Sequence, residues 1–379
     1  MHKYFEIKAS SGNIRCKIYF SENNAAEKAV IFCTGFAGHK DNNAANGFAN
    51  KLLSKYKDMI VVVFNWPAHG DDVKKKLTLA DCDAYLDAVI NEVKAKYAVR
   101  ELYSYATSFG GYLVLKYISE HGNPFEKLAF RCPAVDMYDV LTHTIMKGGE
   151  YDSIMKGKNV EAGFDRKILV TPALLDDLKA NDIRQREYLE YADQILILHG
   201  TKDEVVPFNE GREFAENNMI EFSPVPGADH RFQNPSHMSL ANKYVMEFFL
   251  GSKEKKMLDF MKKHEGCMLE NRPGGCSSYY DRSLHKWRMR IQLDEERIWF
   301  LSIFVHEDGT LDKYSLDREL AEDSHYEFSD EEGIRQKLYQ PGDEKRTFAD
   351  ILIRYVARTS GGDLLWAIYP FITAQFHYD

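Results

Sequence analysis

The stretch Ala106–Gly111 most constrains how this chain can fold. It reads ATSFGG and stands between an apolar run, Leu102–Tyr105, and an amphipathic run, Tyr112–Ile118. This order predicts a strand, a tight turn and a helix, with Ser108 at the apex of the turn. The small residue two before the serine and the glycine two after it let the turn close, which exposes the hydroxyl and directs the first helical amides toward it. Ser108 is therefore a candidate nucleophile.

Apolar runs and helical patterns alternate around this turn. This alternation predicts an α/β fold with a mostly parallel sheet and helices on both faces. Residues 133–192, called the cap segment below, carry no strong strand signal apart from the short run Ile168–Val170. They predict a short helical cap. The alternative is a peripheral helical insertion that does not contact the substrate. The predicted strands and helices of the repeating part include Ala29–Cys33, Asn43–Leu53, Met59–Phe64, Leu79–Val93, Lys127–Phe130 and Gln194–Leu198.

The pattern changes near Gly251, which predicts two domains, residues 1–251 and residues 252–379. Alternating apolar residues in the second predict antiparallel strands, and the domain is expected to be α+β with an unknown role. Its predicted strands are Trp287–Leu293, Ile298–Val305, Leu311–Leu316 and Leu364–His377, and its predicted helices are Lys253–His264, Asp330–Tyr339 and Thr347–Arg358.

Composition excludes several classes of partner. The net charge of −9 argues against a nucleic-acid partner or an anionic membrane surface. No run of about 18 apolar residues is present, so no membrane span is expected. The N-terminus lacks the apolar core of a secretory signal, and the six scattered cysteines are expected to be free thiols of a cytoplasmic protein. A disulfide between Cys267 and Cys276 is the alternative. No C-x-x-C or phosphate-loop motif occurs, and no metal or cofactor is expected.

Two further residues complete the chemistry that a serine nucleophile needs, a base and an acid that holds the base. Asp203 follows the apolar run Ile195–Leu198 in a turn at the carboxyl edge of the predicted sheet. His230 is the next histidine along the chain and lies in a turn-rich loop. The order serine, aspartate, histidine is the one expected for this fold. The alternatives are a helix-capping aspartate and a solvated histidine.

The oxyanion of an acyl-transfer reaction needs backbone N–H donors. Phe109 is a candidate because it follows the nucleophile at the start of a helix. The second donor is expected in the loop Thr34–Lys40, whose glycines permit an inward-pointing N–H, and Phe36 is our choice. The alternative is that this loop is only a tight turn.

Residues 1–250 resemble the α/β-hydrolase superfamily, and within it the cinnamoyl (feruloyl) esterase-like enzymes. The resemblance rests on the serine turn and on four further segments. Thr34 and Ala106 depart from the family pattern, at positions where the mechanism uses the backbone. The resemblance implies Ser108, Asp203 and His230 as the catalytic residues and the amides of Phe36 and Phe109 as the oxyanion hole. The four segments are Thr34–Gly38, Phe64–Asp71, His199–Asp203 and Gly227–Phe232.

These observations predict a serine hydrolase that cleaves a small or medium acyl or aryl ester through an acyl-enzyme. A peptidase or amidase on the same fold, or a binding protein that retains the fold, are the alternatives. A small-molecule ester is the expected partner, and a homo-oligomer formed through the second domain stays open. Four residues are candidates for lining the substrate pocket, with ordinary packing as the alternative: Met137, Tyr138, Met146 and Phe164.

Overall fold

The computed structural model divides the chain into two compact units, Met1–Phe249 and Leu250–Asp379. The predicted boundary lies between residues 251 and 252. Each unit is described by itself. The residues that the structure describes are 1–9, 12–22, 26–72, 75–251, 258, 261–262, 265, 276–292, 299–307, 311–318 and 325–328.

The first unit is built on an eight-stranded sheet with the order β1-β2-β4-β3-β5-β6-β9-β10. β1 and β2 form an antiparallel hairpin, β2 pairs antiparallel with β4, and every further pair in the sheet is parallel. The strands are β1 His2–Ala9, β2 Gly12–Tyr19, β3 Lys28–Cys33, β4 Met59–Phe64, β5 Glu101–Thr107, β6 Lys127–Arg131, β9 Ile195–Gly200 and β10 Glu221–Val225.

The apolar runs became central strands because a parallel sheet is covered on both faces. All six residues of β4 are buried, as are the last five of β3. The helices of this unit are α1 Asn43–Lys55, α2 Leu79–Tyr97, α3 Phe109–His121, α4 Met137–Asp139, α5 Glu150–Met155, α6 Pro172–Ala180, α7 Phe208–Asn217 and α8 Pro235–Leu250.

Helices cover both faces of the sheet. Successive strand residues point to opposite faces. Tyr105 of β5 packs against Phe48 of α1, with ring centroids 4.9 Å apart. Phe130, which pairs with the next β5 residue, lies against Gly111 of α3 on the other face. The predicted parallel sheet with flanking helices is therefore confirmed.

The cap segment contains more strand than its sequence indicated. α4 continues as a π-helical turn, Val140–Ile145, and 3₁₀ turns lie at Ile183–Gln185 and Leu189–Gln194. β7 (Val160–Ala162) and β8 (Ile168–Val170) form a small antiparallel hairpin. β7 escaped prediction because three residues are too few to show an alternating pattern.

The described part of the second unit contains five antiparallel strands in sequential order. β11 and β15 were not predicted, because the residues in and around these two segments of the sequence are mainly polar or acidic. Of the predicted helix Lys253–His264, the structure describes residues 258 and 261–262, and these are helical. The other two predicted helices and the final strand of this domain fall outside the described residues. The strands are β11 Cys276–Asp281, β12 Lys286–Gln292, β13 Trp299–Val305, β14 Leu311–Arg318 and β15 His325–Phe328.

The sheet of the first unit has a switch point beside β3. The chain passes from β3 to β4 on one side and then crosses to β5 on the other side of β3. Connections at the carboxyl ends of β3 and β5 therefore diverge, which leaves a crevice where open α/β sheets bind ligands. The loops after these two strands carry Phe36 and Ser108.

Candidate active site

Ser108 joins the end of β5 to the start of α3 in a strained conformation. Its backbone angles are φ 52° and ψ −119°, a region that a residue with a Cβ rarely adopts. Surrounding backbone groups hold it there. The Ser108 N–H donates to the Arg131 carbonyl at 3.0 Å, and the Ser108 carbonyl accepts from the Ala134 N–H at 3.2 Å. The predicted turn thus places the serine side chain above the carboxyl edge of the sheet.

Glycines allow the β3 loop and the serine turn to approach each other. A Cβ on Gly110 would lie 2.6 Å from the carbonyl oxygens of Cys33 and Thr34. A Cβ on Gly35 would lie 3.2 Å from the Cβ of Ser108. This close contact brings the loop that carries Phe36 alongside the nucleophile candidate.

Ser108, His230 and Asp203 form one hydrogen-bonded row. The Oγ of Ser108 lies 3.0 Å from Nε2 of His230, and Nδ1 of His230 lies 2.8 Å from Oδ2 of Asp203. An ionised carboxylate only accepts hydrogen bonds, so the imidazole carries its proton on Nδ1. Nε2 then has a free lone pair directed at the serine hydroxyl. The structure brings together the three residues that the sequence selected.

The Asp203 carboxylate is buried and held by several donors. Its side chain is fully buried, and Oδ1 accepts from the N–H groups of Val205 and Val206 at 2.9 and 2.8 Å. Burial alone would raise its pKa. Hydrogen bonds from His199 and His230 outweigh this and hold the pKa of Asp203 far below its ordinary value. The carboxylate is therefore ionised at neutral pH, as an orienting acid must be.

Two residues that sequence reasoning did not select support this row. His199 is fully buried at the end of β9, with Nε2 3.3 Å from Oδ2 of Asp203 and 3.1 Å from the Val206 carbonyl. Glu204 accepts the backbone N–H of His230 at 3.2 Å. The segment that supplies the aspartate thus also fixes the histidine loop. The signal that could have identified these two residues was their position in the sequence, because His199 and Glu204 lie in the same short segment as Asp203.

The expected oxyanion donors are the backbone N–H groups of Phe36 and Phe109. Phe109 is the first residue of α3, where helical N–H groups lack an intrahelical acceptor. Within the described ranges, neither N–H has a hydrogen-bond partner. The two rings contact each other edge to face at 5.7 Å, and both contact the buried ring of His69.

A cavity of about 790 Å³ opens at Ser108. Its volume lies within the usual range of small-molecule sites. Phe36 and His230 line it, and the β7–β8 connection contributes Phe164, Asp165 and Arg166. The cap segment therefore forms part of the wall of this cavity.

Comparison with known proteins identifies the family. A family model described as the prolyl oligopeptidase family, Peptidase_S9, matches residues 64–255, half of the chain. The chain belongs to this family. The match covers the serine turn, the aspartate and the histidine, and a comparison with curated proteins found no match.

Solved structures share the fold of this prolyl oligopeptidase family member. Est1E from Butyrivibrio proteoclasticus, solved with ferulic acid bound, is 19% identical with a TM-score of 0.54, over 65% of this chain and 98% of Est1E. A hydrolase of Agrobacterium vitis S4 is 18% identical with a TM-score of 0.54, over 66% of this chain and 99% of that protein. The predicted α/β-hydrolase fold is confirmed, and the chain is a serine hydrolase by family.

The structure separates the four predicted pocket residues. Phe164 lines the Ser108 cavity. Met137 and Tyr138 line a smaller cavity of about 130 Å³ that does not include Ser108. Met146 is 5% exposed and belongs to the apolar core. Only one of the four is thus placed beside the nucleophile candidate.

Two groups of side chains in the described residues have metal-ligating atoms within 4.8 Å of one another. The first, Cys132 with Asp203 and His230, shares its atoms with the hydrogen-bonded row. The second joins Asp83, Glu120 and His121, and both of its carboxylates already bind the Lys116 ammonium at 2.6 Å.

Two sequence expectations concern cysteines and membrane spans. Four cysteines are free and buried: Cys16, Cys33, Cys82 and Cys132. Cys267 lies outside the described residues, and nothing tests its pairing with Cys276. No helix in the described part of the chain is long and apolar enough to cross a membrane.

Proposed function

We propose that this chain hydrolyses carboxylic esters, with Ser108 as nucleophile, His230 as general base and Asp203 as the orienting acid. The observation that carries this proposal is the row of two hydrogen bonds, 3.0 and 2.8 Å long, that joins the three side chains. Such a row is the arrangement that activates a serine hydroxyl.

The proposed reaction proceeds in two halves. Ser108 Oγ attacks the ester carbonyl while Nε2 of His230 takes the hydroxyl proton. The N–H groups of Phe36 and Phe109 stabilise the oxyanion, and the imidazolium then protonates the leaving alcohol. A water molecule, activated by the same imidazole, hydrolyses the acyl-enzyme and frees Ser108. Neither half needs a metal or cofactor.

An ester of small or medium size is favoured as substrate by the cavity. Its volume is about 790 Å³, and Phe36, Ile145 and Phe164 give it apolar surface. Est1E, a protein of the same fold, is described with ferulic acid bound. An aryl or short acyl group fits these dimensions. Whether Met137, Tyr138 and Met146 influence specificity from their separate positions stays a prediction.

Peptide or amide cleavage is the second candidate. The matched family is described by an oligopeptidase activity, and a serine row of this kind serves both reactions. Turnover of aminoacyl anilides would favour this candidate. A binding protein that retains the fold would show no turnover and no labelling by a fluorophosphonate.

The test is hydrolysis of p-nitrophenyl esters of increasing acyl length by wild type and Ser108→Ala. We expect the substitution to lower kcat by about 10⁴- to 10⁶-fold. Ser54→Ala is the matched control, because Ser54 is an exposed serine in the last turn of α1. Equal ester turnover by wild type and Ser108→Ala would exclude Ser108 as the nucleophile. The length at which turnover falls would measure the pocket.

A further inference from the structure

Arg131 is the charged residue placed nearest the proposed nucleophile in the sheet. It is the last residue of β6 and pairs with Thr107, the residue before Ser108. Its carbonyl accepts the Ser108 N–H, and the residue lines the same cavity as Ser108. Any group that binds the Arg131 guanidinium in this cavity therefore lies close to the proposed reaction centre.

The guanidinium is buried without a counter-ion. Arg131 is 7% exposed, and no carboxylate lies within ion-pair distance of it among the described residues. Its Nη1 donates to the Met238 sulfur at 3.0 Å, its carbon lies 5.2 Å from the centre of the Phe232 ring, and its Nε has no acceptor. The neutral hydroxyl of Tyr105 also lies beside the guanidinium. A buried charge next to a thioether, an aromatic face and a neutral hydroxyl is costly, because these groups do not replace its hydration.

The charge of Arg131 affects the pKa of a neighbouring tyrosine, Tyr105. Burial raises the pKa of the Tyr105 hydroxyl, and the positive charge of Arg131 opposes the rise. The Tyr105 hydroxyl is also buried, with the Arg131 guanidinium as its hydrogen-bonding neighbour. A neutral hydroxyl does not balance the charge of the guanidinium, so Arg131 still lacks an anionic partner.

The acidic residues of the cavity do not compensate Arg131, because they are paired elsewhere. Asp41 binds the Lys17 ammonium at 3.1 Å, and Asp165 binds Arg231 at 2.7 Å. The N-terminus of α1 also lines the cavity, and its dipole favours anions. The charge in this cavity that lacks a partner is therefore positive.

We propose that the substrate is an ester that carries a carboxylate, and that the Arg131 guanidinium binds this carboxylate while the ester carbonyl lies at Ser108. This inference rests on the proposed esterase function. A carboxylate supplies the acceptors that the guanidinium lacks, and the planar fork of arginine matches its two oxygens. The carboxylate belongs either to the acyl part or to the leaving group, and the two arms of the test distinguish them.

The test compares matched anionic and neutral esters. Mono-p-nitrophenyl adipate against p-nitrophenyl hexanoate tests the acyl part. The pair 4-(butyryloxy)benzoate and phenyl butyrate tests the leaving group. For each pair of esters, the measured quantity is the ratio of the kcat/KM of the anionic ester to that of the neutral ester. In one of the two arms, we expect this ratio to be about ten- to a hundredfold lower in Arg131→Met than in wild type. Arg131→Lys should retain part of this ratio, since it keeps the charge without the fork.

Arg166→Met is the matched control. Arg166 lines the same cavity but is exposed, so water screens its charge and the ratio should change less than threefold. Equal effects of Arg131→Met and Arg166→Met, or an unchanged ratio in Arg131→Met in both arms, would overturn the inference. If Arg131→Met does not fold, inhibition of wild type decides: adipate should compete with the neutral ester and adipamide should not.

Failure of this inference is distinguishable from failure of the esterase proposal. Turnover of neutral esters that Ser108→Ala abolishes, without preference for either anionic ester and without inhibition by adipate, refutes only the carboxylate site. If no ester is turned over, calorimetric binding of adipate against adipamide still tests Arg131. Binding of adipate that Arg131→Met weakens at least tenfold supports the carboxylate site, and equal binding of both compounds refutes it.

Discussion

His69 should make the stability of the first unit depend on pH. The residue is fully buried, and its ring stacks on Phe109 at 6.0 Å and meets Phe36 edge to face at 5.8 Å. Nδ1 lies 2.9 Å from the Pro67 carbonyl, so it carries the proton, and buried Nε2 has no partner. Burial lowers the pKa of His69 from 6.5 to about 4, although the Pro67 carbonyl opposes this change.

The sign follows from the lowered pKa. Below about pH 6.5 the unfolded chain gains a proton at His69 that the folded chain does not, so acid favours unfolding. This contribution to stability is fully present above about pH 6.5 and is lost as the pH falls toward about 4. A shift of about 2.5 units corresponds to about 3 kcal/mol, of which about 2 kcal/mol is lost by about pH 5.

Urea unfolding followed by far-UV circular dichroism, at about pH 7.5 and about pH 5, measures this loss. Wild type should lose about 2 kcal/mol more than His69→Phe between the two conditions. His121→Phe is the control, because the His121 side chain is 50% exposed, and it should lose as much as wild type. Equal losses in wild type and His69→Phe would refute the argument that burial holds His69 neutral.

Three substitutions test the proposed site through other groups. Asp203→Asn should lower kcat by about four orders of magnitude, because the amide stabilises the wrong tautomer of His230; near-wild-type turnover would remove Asp203 from the proposed mechanism. Gly110→Ala places a Cβ 2.6 Å from the Thr34 carbonyl and should destabilise the chain by about 1–3 kcal/mol, measured by urea unfolding; an unchanged midpoint would contradict the close packing. Trp66→Phe removes a 2.9 Å hydrogen bond to the same carbonyl, and kcat should fall about tenfold with little change in KM, whereas a change confined to KM would indicate a role in binding.

Sequence predicted the members of the candidate site because local patterns make them recognisable. The turn around Ser108 needs small residues at fixed positions, and these are visible without a structure. Chain order then selected Asp203 and His230 from many candidates. The hydrogen bonds of 3.0 and 2.8 Å now found among them depend on the parallel sheet, which the buried apolar runs had indicated.

The surroundings of the site were less predictable because they depend on distant parts of the chain. Arg131 is a charged residue at the end of a strand, a position where many residues are exposed. Its burial depends on Phe232 and Met238, which are distant in sequence and contact its side chain in the structure. Met137 and Met146 were expected near substrate, yet neither is among the residues that line the Ser108 cavity. The cap segment has short elements and no sustained period, so its sequence could not indicate which side chains turn inward.

In the proposed mechanism, different parts of the chain supply the reacting row and the wall of the cavity. The reacting row is fixed from within the sheet, since the Asp203 carboxylate is buried and held by neighbouring amides and by His199. The cavity wall opposite comes partly from the loop between β7 and β8, which carries Phe164. The same loop also contacts the histidine segment, because its Asp165 binds Arg231, the residue after His230, at 2.7 Å. Arg131 connects the two sides, because its backbone fixes the strained Ser108 while its side chain faces the cavity. A carboxylate bound there would be positioned by the same strand that holds the nucleophile.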